Sequence, residues 1–323
     1  MHRSERPASR RGLLIAGRSL ATLAIAASAL IICARALRIS WGPLAYLVPL
    51  TPYLAVVLGL TIVLTILTRF WAGAVAAIVA LLVVAIWWAP PFLNNPGESS
   101  SAQLTVGTSN LKFGLGDACQ LVALVQDRNV DLLSVVEVTD EAIANLQRCG
   151  MDRELPHHFA EPGRMASGSA LWSRYPLTDE SLVPGTLFAS LSATVALPSG
   201  PVRWVSAHPI APGLVDHEQW QQDNSALVAY LTGLPGPVIV SGDFNATRDQ
   251  PLVLDLEDAG FIDAAPAAGA GLARTFPVGE TLAVPFVGID HVMTRHLDLR
   301  AVRATTHSIA RSDHRALVVD FDR

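Results

Sequence analysis

Long apolar runs without charge dominate the first ninety residues of the chain. Three of these runs, at about 12–34, 44–67 and 70–89, are near the twenty residues that a helix needs to cross the hydrocarbon core of a bilayer. None of them shows the polar face that a buried helix of a soluble domain would have on its outer side. The pattern therefore predicts a transmembrane region of three helices over residues 1–93.

Beyond residue 93 the pattern changes to short apolar runs separated by polar turns. Residues 94–103 (NNPGESSSAQ) form a polar linker, and residues 104–323 read as one globular domain. Its β-branched and helical periodicities predict the following elements: strands at 104–110, 131–138, 167–174, 191–197, 202–208, 238–242, 288–294, 298–306 and 315–321, and helices at 118–128, 140–150, 215–231 and 252–259. This order favours an α/β fold in which two mixed sheets pack together with helices outside.

Basic residues set the expected orientation in the membrane. They crowd the N-terminal end, at Arg3, Arg6, Arg10, Arg11 and Arg18, whereas none follows the third run until Lys112. By the positive-inside rule the N-terminus is cytoplasmic, and three crossings place residues 104–323 on the other side; only Arg35 and Arg38 oppose this assignment. The sequence thus predicts a multi-pass cell-membrane protein with an extracytoplasmic globular domain.

The charges divide unevenly between the two parts. Residues 1–93 carry 8 basic and 1 acidic side chains, and residues 94–323 carry 15 basic and 27 acidic side chains, a net charge of −12. An acidic domain lacks the basic surface that tight, nonspecific binding of nucleic acid requires. A metal ion and local arginines can still offset this field within a cleft, so nucleic acid is not excluded as a substrate.

Two of the three cysteines, Cys119 and Cys149, lie in the globular part. An oxidising compartment would permit a disulfide between them. If the two helices that carry them begin at the same edge of a sheet, however, the first turn of one and the last turn of the next are beyond bonding distance. We therefore expect unpaired cysteines.

Polar residues end or precede apolar strands in three short strings of the last third: SGDFN (Ser241 to Asn245), GIDH (Gly288 to His291) and SDHRAL (Ser312 to Leu317). Side chains at strand ends are held by a rigid sheet and can point into one cleft. Carboxylates, an amide and imidazoles that converge there suit the hydrolysis of a phosphate ester.

Seven segments in this order resemble the endonuclease/exonuclease/phosphatase family, whose fold is that of DNase I-like enzymes: TSNLKFG from Thr108, DLLSVVEV from Asp131, GSALWSRYPL from Gly168, SAHP from Ser206, SGDFNATRDQ, GIDHVM and SDHRAL. The resemblance covers about residues 104–322. It implies a four-layered α/β sandwich and a metal-dependent phosphodiesterase that uses Mg²⁺ or Mn²⁺.

The resemblance also implies a metal-ligand set. Glu137 corresponds to the principal Mg²⁺ ligand, Asn110 at a neighbouring strand end assists it, and Asp313 approaches the metal directly or through water. Such a small set suits Mg²⁺, which keeps water and phosphate oxygens in most of its coordination positions.

Five further residues take catalytic roles by the same resemblance. Asp243 orients or deprotonates the attacking water, and Asn245 donates to the phosphoryl oxygens. Asp290 holds His314, which acts as general base or as an electrostatic clamp on the phosphate, and His208 donates to the scissile phosphate. The sequence leaves open whether Asp243 or His314 activates the water. His291 follows Asp290 but points to the opposite face by strand alternation, so we expect it to be structural.

The sequence therefore predicts a membrane-anchored, Mg²⁺-dependent phosphoesterase. Nucleic acid, a phospholipid headgroup and a small phosphoester remain open as substrates, with the lipid bilayer as a second partner through the N-terminal helices. The alternative is a membrane-bound binding or sensor module that has lost catalysis. That alternative would be expected to lack at least one reactive residue, and none is missing.

Overall fold

The computed structural model describes residues 8–94, 102–279 and 284–323. The chain divides into two compact units. The first contains Met1–Ala89 together with the short segment Asp249–Pro251, and the second contains Pro90–Arg248 and Leu252–Arg323. Each unit is described below by itself.

The first unit is helical. Helix α1 spans Ala8–Ala36, α2 spans Leu44–Leu47, a 3₁₀ segment spans Val48–Tyr53, α3 spans Leu54–Leu67 and α4 spans Trp71–Trp88. The 3₁₀ segment contains Pro49 and Pro52. Proline lacks the N–H that an α-helix needs, so the α-helical hydrogen bonding is interrupted here. Three stretches are long and apolar enough to cross a membrane: Arg11–Ala36, Leu44–Leu67 and Trp71–Trp88.

Two arginines of this unit have partners inside it. Arg18 donates from Nε and from a terminal nitrogen to the carbonyl of Thr68, at 3.1 and 2.9 Å, where α3 ends. A cation at a helix C-terminus compensates the unpaired carbonyl groups there. Arg35, which is mostly buried, pairs with Asp249 at 2.5 Å. Asp249 therefore neutralises the charge of Arg35, whereas Arg18 is stabilised by hydrogen bonds to a carbonyl group.

The second unit contains two six-stranded sheets flanked by helices. The first sheet has the order β11-β12-β1-β2-β4-β3 and the second has the order β5-β6-β7-β8-β10-β9. The strands are β1 (Leu104–Asn110), β2 (Leu132–Val136), β3 (His157–Glu161), β4 (Ser169–Ser173), β5 (Leu177–Leu182), β6 (Leu191–Leu197), β7 (Gly200–Ala207), β8 (Val238–Asp243), β9 (Ile262–Asp263), β10 (Asp290–Arg295), β11 (Arg300–Ser308) and β12 (Arg315–Asp322). The helices are α5 (Pro90–Leu93), α6 (Ala118–Arg128), α7 (Asp140–Cys149), α8 (Met151–Glu154), α9 (His217–Gly233), α10 (Pro251–Asp258) and α11 (Ala264–Ala267).

Three buried clusters of apolar side chains hold these layers together. The central one joins the inner faces of the two sheets, with Val106 and Leu132 from the first and Trp204 and Ile239 from the second. The others lie under α6 and α7 on one side and under α9 and α10 on the other. Burial on both faces explains the apolar runs of β2 (LLSVV) and of the start of β8 (VIV). This four-layered α/β sandwich confirms the predicted fold class.

Side-chain caps fix the helix starts that the sequence indicates. Asp117 accepts from the N–H of Gln120 at the start of α6, and Thr139 accepts from that of Ala142 at the start of α7. Helix α7 ends at Gly150, which has the left-handed conformation typical of a helix stop.

The expectation of unpaired cysteines is wrong. Cys119 and Cys149 form a disulfide with a Cα–Cα distance of 5.1 Å. Both residues lie where the sequence places them, at the start of α6 and the end of α7. The error lies in the assumed helix directions. The disulfide places the end of α7 beside the start of α6, so α7 does not run alongside α6 in the same direction, and α8 then leads the chain on to the edge strand β3, which is parallel to β2.

Candidate active site

The fold gathers the predicted site residues at one edge of both sheets. In the first sheet β1 and β2 are parallel neighbours, and in the second β7 and β8 are, so their carboxyl ends meet the same edge in each case. Strand β10 is antiparallel to β8 and begins opposite its end, with Asp290 in register with Asp243. The residues at these ends are Asn110, Glu137, His208, Asp243, Asp290 and, just before β12, His314.

Glu137 directly follows β2 and has a positive φ of 57°. Its Oε1 accepts from Asn110 Nδ2 at 2.9 Å, and its Oε2 accepts from the backbone N–H of Phe113 at 2.7 Å. Burial raises the pKa of Glu137 above its ordinary value, although these two hydrogen bonds act in the opposite direction. A half-buried carboxylate with unfavourable solvation is a suitable ligand for a cation.

Asn110 connects the two sheets. Its Oδ1 accepts from the backbone N–H of Lys112 at 2.8 Å, which fixes the orientation of the amide. The Nδ2 group therefore faces two carboxylates, Glu137 and Asp243, at 2.9 and 3.0 Å. With this orientation Asn110 places carboxylates by donating to them, whereas ligation of a metal would require its amide oxygen.

Asp243 is fully buried at the end of β8. Its Oδ1 accepts from the backbone N–H of Asn245 at 2.8 Å, and its Oδ2 lies 3.6 Å from His314 Nε2. Burial raises the pKa of Asp243, His314 opposes this, and Asp290 adds to it. Asn245 donates from Nδ2 to the carbonyl of Pro209 at 3.0 Å, so its amide is held beside the segment that follows His208.

His314 lies between two carboxylates. Its Nδ1 is 2.8 Å from Asp290 Oδ2, and its Nε2 faces Asp243. Burial lowers the pKa of His314, but the charges of Asp290 and Asp243 outweigh it and raise the pKa to about 10. An imidazole with a carboxylate at each nitrogen carries both protons at neutral pH. The Asp290–His314 contact is the one that the sequence predicts.

His208 differs from His314 because its ring is neutral at neutral pH. Its side chain is buried, and burial lowers its pKa to about 4 even though Asp243 and the backbone of Ala166 act to raise it. Its Nδ1 has no hydrogen-bond partner among the described residues. The ring of Phe188 packs against it, with ring centres 5.2 Å apart. A neutral, buried imidazole with a free ring nitrogen is suited to a hydrogen bond with a substrate.

Asp313 lies at the rim of this cluster. Its carboxylate is 3.7 Å from Lys112 Nζ, and both side chains are partly exposed. Its charge contributes to the raised pKa of His314. Asp313 therefore lies next to the site, and its ion-pair partner in the structure is Lys112.

The donor set of the cluster fits a divalent cation. Asp243, Asp290 and His314 bring potential ligand atoms within 4.8 Å of one another. A doubly protonated imidazole has no lone pair for a metal, so the carboxylates are the suitable ligands in this set. Asp243, Asp290 and Glu137 together outnumber the single imidazolium. This excess of buried negative charge, with oxygen donors, matches the preference of Mg²⁺.

His291 lies on the opposite face of β10 from Asp290 and bonds elsewhere. Its Nδ1 is 2.8 Å from Asp263 Oδ2, and its Nε2 is 3.0 Å from the carbonyl oxygen of Ala246. Burial lowers the pKa of His291, but Asp263 and the Ala246 carbonyl outweigh it and raise the pKa. The residue thus ties β9 to the loop that carries Asn245.

Sequence reasoning missed three residues that contact the cluster. Phe276 packs on the ring of His314, with ring centres 4.7 Å apart. Phe188 packs on His208, and Asp223 in α9 accepts from the N–H groups of Leu187 and Ile210. The two phenylalanines stand in loops without a recognisable motif. Asp223 gave a weak signal, as an acidic residue within the periodic apolar pattern of α9.

A two-sheet α/β sandwich with carboxylates, an amide and imidazoles at one sheet edge defines the class of DNase I-like proteins. Residues 107–314 match the model of the Endonuclease/Exonuclease/phosphatase family. The chain belongs to this family, whose members are phosphodiesterases, nucleases or phosphatases.

Similar proteins agree with this assignment. The chain is 29% identical over 164 residues to UPF0294 protein VV2535 of Vibrio vulnificus, an alignment that covers 50% of this chain and 47% of that protein. The chain thus matches about half the length of this curated relative. Among solved structures it is similar to the 3′ phosphatase NExo from Neisseria bound to product DNA hairpin, with 18% identity and a TM-score of 0.55, over 68% of this chain and 100% of NExo. It is also similar to D. rerio TDP2 complexed with single-strand DNA product, with 13% identity and a TM-score of 0.54, over 68% of this chain and 99% of TDP2. At these identities the two structures show the fold alone.

Proposed function

We propose that this protein is a membrane-anchored, Mg²⁺-dependent phosphoesterase that hydrolyses phosphodiester bonds. One observation carries the proposal: Glu137, Asn110 and Asp243 form a continuous hydrogen-bonded series across the two sheets, and Asp243 adjoins the Asp290–His314 pair. Metal ligand, water-orienting carboxylate and cationic clamp are thus within reach of one substrate phosphate.

The reaction that suits these groups is attack of water in line with the leaving group. The water oxygen bonds to phosphorus, the P–O ester bond opposite it breaks, and the products are a phosphomonoester and an alcohol. Mg²⁺ held by Glu137 would neutralise the charge of the phosphoryl group. The protonated His314 and the second N–H of the Asn245 amide would stabilise the negative charge that builds on its oxygens, and His208 would donate to them only in its protonated form.

The surroundings of His314 favour Asp243 as the group that takes the proton from water. Both ring nitrogens of His314 face carboxylates, so the ring is a donor on both sides. Each oxygen of Asp243 accepts one hydrogen bond, from Asn245 or from Asn110, and has a second lone pair that can accept from water. In this assignment His314 acts as the electrostatic clamp on the phosphate, and Asp290 holds its ring in place.

The membrane anchor and its orientation are part of the proposal. Three helices of suitable length and composition support the anchor. The Cys119–Cys149 disulfide supports an extracytoplasmic domain, because disulfides persist in oxidising compartments and are rare in the cytosol. The basic N-terminus agrees with the same orientation.

A substrate screen tests the proposed activity. The full chain, reconstituted in nanodiscs, is assayed with Mg²⁺ and with EDTA against bis(4-nitrophenyl) phosphate, DNA, RNA, a phospholipid and an inositol phosphate. We expect Mg²⁺-dependent release of product from at least one phosphodiester, and its loss in Asp243→Asn. Binding without turnover of any of these compounds would instead indicate a non-catalytic module.

A further inference from the structure

Large apolar side chains are exposed on the loops around the candidate active site. We name five of them the apolar rim, with exposed fractions between 42% and 66%: Phe113, Leu115, Met165, Leu187 and Leu214. Within the described part of residues 104–323, nine large apolar side chains are exposed in total, so more than half of them lie on these loops. Exposed apolar groups that cluster at one place indicate a contact surface rather than random surface composition.

Each rim loop contacts a residue of the site. The backbone N–H of Phe113 donates to Glu137, and Leu115 follows in the same loop. Met165 precedes Ala166, whose backbone hydrogen-bonds to His208. Leu187 precedes Phe188, whose ring packs on His208. Leu214 lies in the segment that follows His208 at the end of β7. The rim loops therefore adjoin Glu137 and His208, two residues of the candidate site.

The rim loops are also held in place. Asp223 is buried and accepts from the N–H of Leu187 at 2.5 Å and from the N–H of Ile210 at 2.7 Å. One carboxylate thereby joins the loop of Leu187 to the segment that leads to Leu214. The loops of Met165 and Leu187 also face each other across one cavity, which Pro162, Leu187 and Phe188 help to line. Buried hydrogen bonds to Asp223 therefore hold the loop of Leu187 and the segment that leads to Leu214.

Basic side chains stand directly beside two of the apolar tips. Lys112 precedes Phe113, and Arg164 precedes Met165. Arg164 is exposed, and Lys112 is partly exposed and 3.7 Å from Asp313. An apolar tip next to a cation is the arrangement that enters the boundary between phospholipid headgroups and acyl chains.

The chain itself keeps this domain close to a bilayer if its apolar helices span one. Residues 89–103 join Trp88, the last residue of α4, to Leu104, the first residue of β1. Even a fully extended chain of that length reaches only about 50 Å. A nucleic-acid substrate would instead favour a basic rim, whereas residues 94–323 carry a net charge of −12 and the rim tips are mainly aliphatic.

We infer that the apolar rim docks on a phospholipid surface and that the substrate is the phosphodiester of a phospholipid headgroup. This inference rests on the proposed phosphodiesterase activity. Docking would hold the rim side chains among the lipids and bring a headgroup phosphate to the site. Water then adds to phosphorus as above, and the headgroup diester becomes a phosphomonoester and an alcohol.

Activity on two kinds of substrate tests the inference. The full chain in phosphatidylcholine nanodiscs is assayed with Mg²⁺ on the nanodisc lipid, on soluble bis(4-nitrophenyl) phosphate and on single-stranded DNA. For Met165→Ser with Leu214→Ser, we expect lipid turnover to fall at least about tenfold, because about 1.4 kcal/mol of lost apolar contact corresponds to tenfold. Turnover of the soluble diester should stay within about twofold, since neither side chain contacts the reacting groups.

Ile262→Ser is the matched control. Ile262 is 60% exposed on β9, outside the rim loops, and its replacement removes similar apolar area. We expect it to leave both activities unchanged. The conservative double variant Met165→Leu with Leu214→Met should keep the lipid activity of the wild type. Retained activity would show that the loss in the serine variant comes from the missing apolar surface and not from any change at these two positions.

A fluorescent probe gives a readout other than activity. In a Cys33→Ser background, a polarity-sensitive dye on Leu214→Cys should shift to shorter wavelength in nanodiscs and be quenched by spin-labelled lipids, whereas the same dye on Ile262→Cys should not. Equal loss of both activities in the rim variant, faster turnover of DNA than of lipid, or an unshifted probe at position 214 would each overturn the inference. If the wild type cleaves the soluble diester but no lipid, the inference fails and the proposed function stands; if it cleaves nothing with Mg²⁺, the proposed function fails as well.

Discussion

At the scale of single residues, neighbouring positions of strand β10 each contribute one member of a carboxylate–imidazole pair. The two pairs have the same N···O distance but different surroundings. Asp290 holds His314 and His291 bonds Asp263, both at 2.8 Å. The first pair adjoins Asp243, and the second contacts the Ala246 carbonyl. Alternation along one strand thus separates a pair suited to catalysis from a pair suited to holding a loop.

Replacement of Asp290 by Asn should remove the charge that keeps His314 protonated and oriented. We expect kcat for a soluble phosphodiester to fall by about 100- to 10,000-fold, the range known for loss of a carboxylate that orients a catalytic histidine. The measurement is steady-state kinetics of the full chain in detergent, with a thermal melt to show that it is folded. Asp263→Asn is the matched control, with a loss of less than about tenfold in kcat because Asp263 contacts no reacting group. Equal losses in the two variants would contradict the assignment.

The His291–Asp263 pair should make stability depend on pH. The folded state raises the pKa of His291 above 6.5, so its stabilisation is complete below that pH and is lost as the pH rises through the folded-state value. We expect the Tm advantage of the wild type over Asp263→Asn to be largest near pH 6 and to shrink toward pH 9. An advantage that grows with pH would show that the pair is not an ion pair in the folded protein.

The residue scale also shows the limit of motif reading. The strings SGDFN, GIDH and SDHRAL place Asp243, Asp290 and His314 at strand ends, and the structure brings these three side chains together. The amide orientation of Asn110 could not be predicted, because the backbone N–H of Lys112 determines it. Asp223 could not be predicted either, since the N–H groups that it accepts from belong to two distant loops.

At the scale of elements, the buried strands were predictable, and among the edge strands β11 was predicted whereas β3 and β5 were not. Strands β1, β2 and β8 are buried at every position, and apolar runs mark β2 (LLSVV) and the start of β8 (VIV). The edge strands β3 (HHFAE) and β5 (LTDESL) have exposed polar positions, and the sequence analysis leaves both outside its strands. A strand with a neighbour on one side needs fewer apolar residues, and charged positions protect its open edge. The disulfide was missed because the direction of α7 relative to α6 depends on how the two helices pack, which the sequence pattern does not show.

The disulfide should stabilise the domain through the unfolded chain. It closes a loop with a sequence separation of 30, for which chain entropy gives about 3–4 kcal/mol. We expect Cys119→Ser to lower the Tm of the full chain by several degrees and to abolish the effect of reductant on the wild-type melt. Cys33→Ser, which removes an unpaired cysteine, should melt like the wild type. A Cys119→Ser variant as stable as the wild type would show that the bond contributes nothing to stability.

At the scale of the whole molecule, two units of different composition share one chain. The first is apolar and helical, and the second is an acidic α/β sandwich with the candidate site. The predicted fold class is confirmed for both parts, because long uncharged runs and alternating short strands are the two patterns that a sequence shows most clearly. The proposed extracytoplasmic position of the sandwich is supported by the charge pattern and by the disulfide, and it can be measured.

Thiol labelling in spheroplasts tests this orientation. In a Cys33→Ser background, Ile262→Cys should react with a membrane-impermeant maleimide in intact spheroplasts, because three crossings place the sandwich outside. A cysteine at Ser4 should react only after lysis. The reverse pattern would place the sandwich in the cytoplasm.

The central claim is that Glu137 holds a divalent cation that hydrolysis requires, and a Mg²⁺ titration of activity tests it most directly. The rate of hydrolysis of bis(4-nitrophenyl) phosphate by the full chain is measured against Mg²⁺ concentration, for the wild type and for Glu137→Gln. We expect saturable activity that EDTA abolishes and Mg²⁺ restores, and a Glu137→Gln variant that needs about 100-fold more Mg²⁺ or stays inactive while melting like the wild type. Activity that persists in EDTA, or identical Mg²⁺ curves for the two proteins, would contradict the claim.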